Sequence, residues 1–316
     1  MGRRWAGLRA VPFEALVLAI LVAVGSIHPA AATTKVAKRP ESAKVVKPAK
    51  LSTKLSKAGA KAKPSVAFVV SCRVSHEATD DPIVHPGHRG ASHRHTFFGN
   101  TSTNAASTVK TLRAASKTTC DNSADLASYW APSPRGGSWT HMRAYYDAGP
   151  AGTDQSEIVA YPFGLTMVAG YNANGGVAAV AWSCNRSIDG SGWSSTPPKP
   201  CAGNQPMTVR VEFPQCWDGK RLRAEKGTHL AGRVGANCPN GHRVMLPRLR
   251  LVFTLNSSQA PESLSIGGLK SMHADFFNVW REQELEALID LCIRGHRQTS
   301  SDLRRCRTRA GEPTPL

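Results

Sequence analysis

Between residues 66 and 279 the chain alternates short apolar runs with clusters of Gly, Pro, Asn and Ser, and no long stretch there keeps a 3.6-residue hydrophobic period. The run Val66-Ala-Phe-Val-Val70, rich in β-branched residues, predicts the first strand. Further strands are expected over 139–146, 158–160, 165–169, 177–183, 207–213, 250–255 and 264–266. One helix stands out over 281–293, where Leu285, Leu288, Ile289 and Cys292 recur at i, i+3, i+4 and i+7 and define a single apolar face. Many short strands joined by turn chemistry, with no βαβ alternation and no internal repeat, predict an all-β single domain of sandwich or jelly-roll type, carrying short helices and one C-terminal helix.

The ends of the 316-residue chain follow different rules. Arg3 and Arg4 precede an apolar run of ten residues (15–24), and Ala30-Ala-Ala32 offers a small-residue cleavage site, so 1–32 reads as a signal peptide. The apolar run falls short of the about 20 residues a spanning helix needs, which leaves an uncleaved anchor as the weaker alternative. Residues 33–65 consist mainly of Ala, Lys, Ser, Val and Pro without an aromatic, and cannot bury enough apolar surface to offset ordering entropy. They read as a disordered basic linker, either adhering to anionic wall polymer or membrane surface or simply spacing the domain. The globular domain is expected over 66–295 and a loosely ordered basic tail over 296–316.

Charge and cysteine content refine this layout. Of the formal charge of +18, residues 1–65 contribute +11, from thirteen Lys/Arg against two Glu, so the rest of the chain carries only +7. A nucleic-acid partner is therefore not expected. Eight cysteines without any C-x-x-C argue for disulfides in an oxidising space rather than for structural zinc, and favour an extracellular or cell-wall location. Among the 105 pairings that eight cysteines allow, the expected set joins sequence neighbours: Cys72–Cys120, Cys184–Cys201, Cys216–Cys238 and Cys292–Cys306.

Candidate chemistry gathers in three stretches. Residues 81–100 hold four histidines (His85, His88, His93, His95), Asp81 and three glycines. On a strand, the period of two turns His93 and His95 to one face, where they would bind a metal, act as base and hydrogen-bond donor, or form a polar cluster under a loop. The second stretch, Cys216-Trp-Asp-Gly-Lys220, holds Asp218 in a tethered turn beside Trp217. Asp218 is either a turn-former or a rigid carboxylate, and Trp217 offers a face for a sugar ring. The third, 273–280, carries a further i, i+2 pair, His273 and Asp275, with Asn278. Asp275 would also suit a helix N-cap. His229 and His242 flank Cys238 and, taken alone, read as structural. No Walker loop, Rossmann fingerprint, H-E-x-x-H or G-x-S-x-G is present, which excludes the commonest nucleotide, zincin and serine-hydrolase designs.

The series Asp81-Pro-Ile-Val, Ser92-His-Arg-His95, Phe98-Gly99, Ser128-Tyr-Trp-Ala-Pro132, Tyr161-Pro-Phe-Gly164, Phe213-Pro-Gln-Cys-Trp-Asp-Gly219, Cys238-Pro239 and His273-Ala-Asp-Phe276 resembles the DUF1996 family, secreted domains of fungi and some bacteria with no activity to carry over. The resemblance picks out His93, His95, Asp218, His229, His273 and Asp275. The chain departs from the pattern at Ala274 and Val279, where glycine is expected, and in Ile266-Gly-Gly-Leu-Lys270, which lacks an acidic residue. The leading expectation is a secreted, polysaccharide-hydrolysing enzyme with Asp218, Asp275, His93, His95 and His273 as catalytic groups, and with Trp217, Asp81, His229 and Asn278 binding substrate. One alternative is a non-catalytic module that binds wall glycan. The other is a metal-dependent enzyme whose divalent ion is held by His93, His95, His273 and Asp275; only that reading calls for a cofactor.

Overall fold

A computed structural model describes residues 67–150, 152–170, 180–184, 188, 192–224, 228–296 and 305–306. The expected signal segment (1–32), the linker (33–65) and all of the tail except residues 296, 305 and 306 lie outside these described residues. The strands in chain order are β1 (Phe68–Ala78), β2 (His95–Gly99), β3 (Ser128–Pro132), β4 (Pro134–Arg135), β5 (Trp139–Asp147), β6 (Thr166–Gly170) and β7 (Val180–Ser183). They continue with β8 (Thr208–Glu212), β9 (Cys216–Trp217), β10 (Leu230–Ala231), β11 (Val244–Met245), β12 (Arg248–Leu255), β13 (Ser263–Leu264) and β14 (His273–Phe277). Two α-helices accompany them, α1 (Val109–Ala115) and α2 (Glu282–Leu288).

Nine strands form one antiparallel sheet in the order β6-β14-β3-β2-β1-β5-β12-β8-β7, and two small sheets, β10-β9-β11 and β13-β4, flank it. The fold is thus all-β, as the spacing of apolar runs predicts. The long strand β1 links the two halves of the large sheet: Phe68–Arg73 pair with β5, whereas Val74–Ala78 pair with β2 across an irregularity between Val74 and His76. Such a bulge sharpens the local twist, and the halves close on one another like a sandwich. Phe98 of β2 meets Phe253 of β12 with ring centroids 5.5 Å apart. Tyr129, Met167 and Phe276 from one half share a core with Met142, Tyr146, Leu251 and Val209 from the other.

The period of two assigns each strand's residues to opposite faces. In β2, β3 and β14 the inner set is Phe98, Tyr129, Ala131, Ala274 and Phe276, all in the main core. The outer set includes Phe97, Trp130 and Phe277, which form a second cluster with Leu112 of α1. His95, His273 and Asp275 belong by parity to this outer set. Both faces of these strands are covered, so their sequence shows neither alternation nor an uninterrupted apolar run, and the pattern reading gives no strand at β3 or β14.

Other differences are local. Residues 158–160 are not a strand: Ile158 is fully buried, but only Val159 makes a sheet-like bond, its N–H to the Met245 carbonyl. The strand expected over 264–266 reduces to β13. Helix α1 has too short an apolar face to be read from sequence. It starts at a capping box in which the Thr108 hydroxyl and the Thr111 backbone and side chain satisfy each other. The helix expected over 281–293 forms as α2 followed by a π-turn, Ile289–Ile293, with Leu285, Leu288, Ile289 and Cys292 buried.

All four expected disulfides are present, Cys72–Cys120, Cys184–Cys201, Cys216–Cys238 and Cys292–Cys306. They indicate an oxidising environment of the extracellular kind. No helix among the described residues is long and apolar enough to cross a membrane.

Candidate metal centre

Three imidazoles meet on the outer face of the β14-β3-β2 half-sheet. Ring centroids are 4.1 Å apart for His93–His95, 5.1 Å for His93–His273 and 5.7 Å for His95–His273. His95 opens β2, and His93 lies just before the strand on the same face. His273 opens β14 opposite Gly170, whose backbone (φ +149°) comes so close that a Cβ there would sit 2.4 Å from the His273 Cα. Only glycine allows this approach. Asp275 follows two residues along β14, and its outward carboxylate is wholly buried. Asp81, also buried, ends the connection from β1.

The hydrogen bonds orient the rings. His95 Nδ1–H donates to the Asp80 carbonyl at 3.0 Å, and His273 Nδ1–H donates to the Ser271 carbonyl at 2.9 Å. A ring that donates through Nδ1 carries its lone pair on Nε2, the arrangement found in metal-ligating histidines. Nitrogen Nε2 of His93, Nε2 of His95 and both Asp275 oxygens are buried without a hydrogen-bond partner. His273 Nε2 lies 3.8 Å from Asp275 Oδ2, too long for a hydrogen bond. Orphaned buried polar atoms are rare because each costs about 1–3 kcal/mol. Here four belong to three residues of the cluster.

One ligand atom from each of His93, His95 and His273 can be chosen so that all lie within 4.8 Å of one another, and the same holds for Asp81, His95 and Asp275. His95 belongs to both sets, so a three-histidine group and an Asp81–His95–Asp275 group adjoin through one ring. The residues fit a first-row divalent cation: imidazole with carboxylate suits zinc, iron, copper or nickel, with bonds of about 2.0–2.2 Å to zinc that small side-chain rotations would reach.

Electrostatics point the same way. Burial, then the charges of neighbouring histidines, depress the His93 pKa to about 3. Burial and His273 bring His95 to about 3 as well, and burial lowers His273. All three rings are therefore neutral near pH 7, with lone pairs available. Burial, reinforced by the Asp81 charge, raises Asp275 well above the ordinary carboxylate range. A cation would remove that penalty.

The remaining sequence candidates occupy other surroundings. Asp218 Oδ1 accepts the N–H groups of Lys220 and Arg221, and Oδ2 pairs with Arg221 Nε at 2.7 Å. Burial opposes ionisation there, but these partners prevail and hold its pKa below normal. Asp218 is thus a fully engaged turn carboxylate. Trp217 donates its indole N–H to the Arg221 carbonyl at 2.6 Å and is half-buried. Asn278 uses Nδ2 on the carbonyls of Tyr161 and Pro162 and Oδ1 on the Trp280 N–H, which leaves its amide bound to backbone. Buried His229 donates Nε2–H to the Thr166 carbonyl at 2.8 Å, while its Nδ1 has no partner.

Asp80 escaped sequence reasoning. Beyond its carbonyl on His95, its carboxylate accepts Gly90 N–H (2.8 Å) and Ala105 N–H (3.1 Å), while Asp81 Oδ1 accepts Ile83 N–H and Val84 N–H. The adjacent aspartates thus anchor the loops that cover the histidines. Their signal was the Asp80-Asp81-Pro82 run itself, two carboxylates at a strand end. His85, half-buried in the covering loop, also lowers the pKa of both His93 and His95.

The chain has no significant match among curated proteins or solved structures. The family described as "Domain of unknown function (DUF1996)" matches residues 81–280, a span that opens on Asp81, closes just beyond β14 and contains every residue of the histidine–aspartate cluster. On that match the chain belongs to the DUF1996 family.

Proposed function

We propose that this domain is a metal-dependent enzyme of hydrolytic type, acting on an extracellular or cell-wall polysaccharide, with His93, His95 and His273 as nitrogen ligands and Asp275 as the carboxylate. The reading rests on one observation: His93, His95 and Asp275 keep buried atoms without a partner, and His95 joins a three-histidine group to a second group that holds Asp275. An ion held there would supply Lewis acidity toward a substrate oxygen. His95 and His273 keep their lone pairs aimed because each Nδ1–H is committed to a backbone carbonyl. Asp275 would balance the ion's positive charge, and the oxygen not used as a ligand would serve as acceptor for a proton from water. His93 and His273 are the only partly exposed members of the three, His273 with 13 % of its side chain open to solvent. Asp218 is assigned no acid–base role, because its oxygens are already bonded and its pKa is depressed.

The signal segment expected over 1–32 and the four disulfides favour a wall or matrix substrate over a cytosolic metabolite. The test combines metal analysis of the purified full chain with turnover on a panel of wall glycans before and after chelation. The expected result is one equivalent of a transition metal and activity that chelation abolishes and metal restores. Metal-free protein with unchanged turnover would overturn the reading.

A further inference from the structure

Two cavities, of about 470 and 350 Å³, are both lined by the loop that follows Asp81. Thr166 and Arg223 line both, and Arg223 Nη2 donates to the Ile83 carbonyl at 3.3 Å. Ile83 is tied directly to the Asp81 carboxylate, and Val168, which lines the smaller cavity, is the register partner of Asp275. The cavities therefore run alongside the histidine–aspartate cluster.

Two polar groups in this cleft have unused capacity. Arg223 is exposed and forms no ion pair among the described residues; its one hydrogen bond is the long one to Ile83. His229, 4 % exposed, lines the smaller cavity with Nδ1 buried and unpartnered. Because Nε2–H is spent on the Thr166 carbonyl, Nδ1 of the neutral ring is an acceptor and calls for a hydroxyl or N–H donor. Arg223 calls for an oxyanion, which its planar fork binds in two-point fashion. Val84, exposed in the loop, and Leu222 add apolar rim to the cleft.

We infer that this cleft is a substrate subsite for an anionic polyol, a sugar unit whose oxyanion pairs with Arg223 while a hydroxyl donates to His229 Nδ1. The inference rests on the enzymatic reading above and narrows its substrate class to acidic wall polymers. Carboxylate sugars and phosphate-linked polyols share this chemistry, and separate probes distinguish them.

The experiment measures binding of trigalacturonate, a glycerol-phosphate trimer and neutral cellotriose to the full chain at fixed salt. At least one acidic trimer is expected to bind saturably, and whichever binds tighter names the oxyanion. Arg223→Gln is expected to weaken that binding about tenfold, the usual consequence of losing one charge-assisted hydrogen bond, and to leave cellotriose unaffected. Arg223→Lys should recover part of the loss. Cellotriose binding as tightly as both acidic trimers, or Arg223→Gln binding like wild type, would overturn the inference. Arg223 lies at the surface, so this variant does not depend on how the core tolerates change. His95→Ala separates the two readings. It removes metal and turnover but leaves trimer binding to Arg223, whereas intact metal-dependent turnover without acidic-trimer binding sinks the subsite alone.

Discussion

Asp147 and Asp275 are both fully buried, each on a strand of the same sheet, and their surroundings are opposite. Asp147, at the end of β5, faces Arg248 Nε at 2.9 Å and Arg250 Nη2 at 2.5 Å, and it also accepts the Gly149 N–H at 2.6 Å. Burial alone would raise its pKa, but Arg250 and Arg248 outweigh burial and bring it below normal. Asp275 has the same burial and no hydrogen-bond partner, and its pKa goes up. A carboxylate that the fold satisfies internally serves stability. One that the fold buries beside imidazoles and leaves without a hydrogen-bond partner is the group that the proposed function assigns to a metal.

Removing Asp147 tests the first half of this comparison most severely. Asp147→Ala leaves Arg250 buried without its counter-charge and should cost about 3–5 kcal/mol in urea unfolding, with metal content unchanged. A loss well below that would show the ion pair to be dispensable. Asp275→Asn should do the reverse. Metal affinity is expected to fall about 100-fold by titration calorimetry, equivalent to about 2.7 kcal/mol, while the metal-free protein changes by less than about 1 kcal/mol because no native bond is lost. Equal metal affinity in the variant would remove Asp275 from the centre.

Gly170→Ala probes the scaffold under His273. The added methyl would collide with the His273 backbone, and the positive φ strains any L-residue. The expected cost is about 1–3 kcal/mol, together with weaker metal binding, read by thermal scans with and without added metal. Acid titration gives a graded version of the Asp147 experiment. Its folded pKa lies below the unfolded carboxylate value of about 3.9, so its stabilisation is fully present above that value and drains away as pH falls through the folded pKa. Below about pH 4 wild type should lose stability more steeply than Asp147→Ala. The smallest effect belongs to Asp218→Asn. It loosens a partly exposed turn pair by under about 1 kcal/mol and should leave metal affinity unchanged.

Local physics explains what could be read in advance. The side-chain period of two already places His93 and His95 on one face, and the cysteine neighbours in sequence proved to be the partners in all four disulfides. The helix after β14 was visible because one of its faces is apolar and the other is not. By contrast, β3 and β14 are covered on both sides and carry polar residues on the outer one, so neither alternation nor a continuous apolar run marked them. Asp218 and Asp275 looked alike as carboxylates in distant motifs. Only their partners separate them, Arg221 for one and no hydrogen-bonding group for the other.

Composition and spacing by themselves determined the β class and the types of group available for chemistry, because each depends on residues close in the chain or on residue type alone; the neighbour pairing of the cysteines was an expectation that the structure bears out. Tertiary structure decided which of those groups meet. Strands β14, β3 and β2 are neighbours in the sheet although their residues are far apart in sequence. That order brings His273 and Asp275 to His93 and His95, leaves Asp218 in its turn, and sets Arg223 and His229 along the adjoining cleft. Partners then give equally buried carboxylates opposite pKa shifts, since those partners depend on what the fold places around a group and not on its position in the chain.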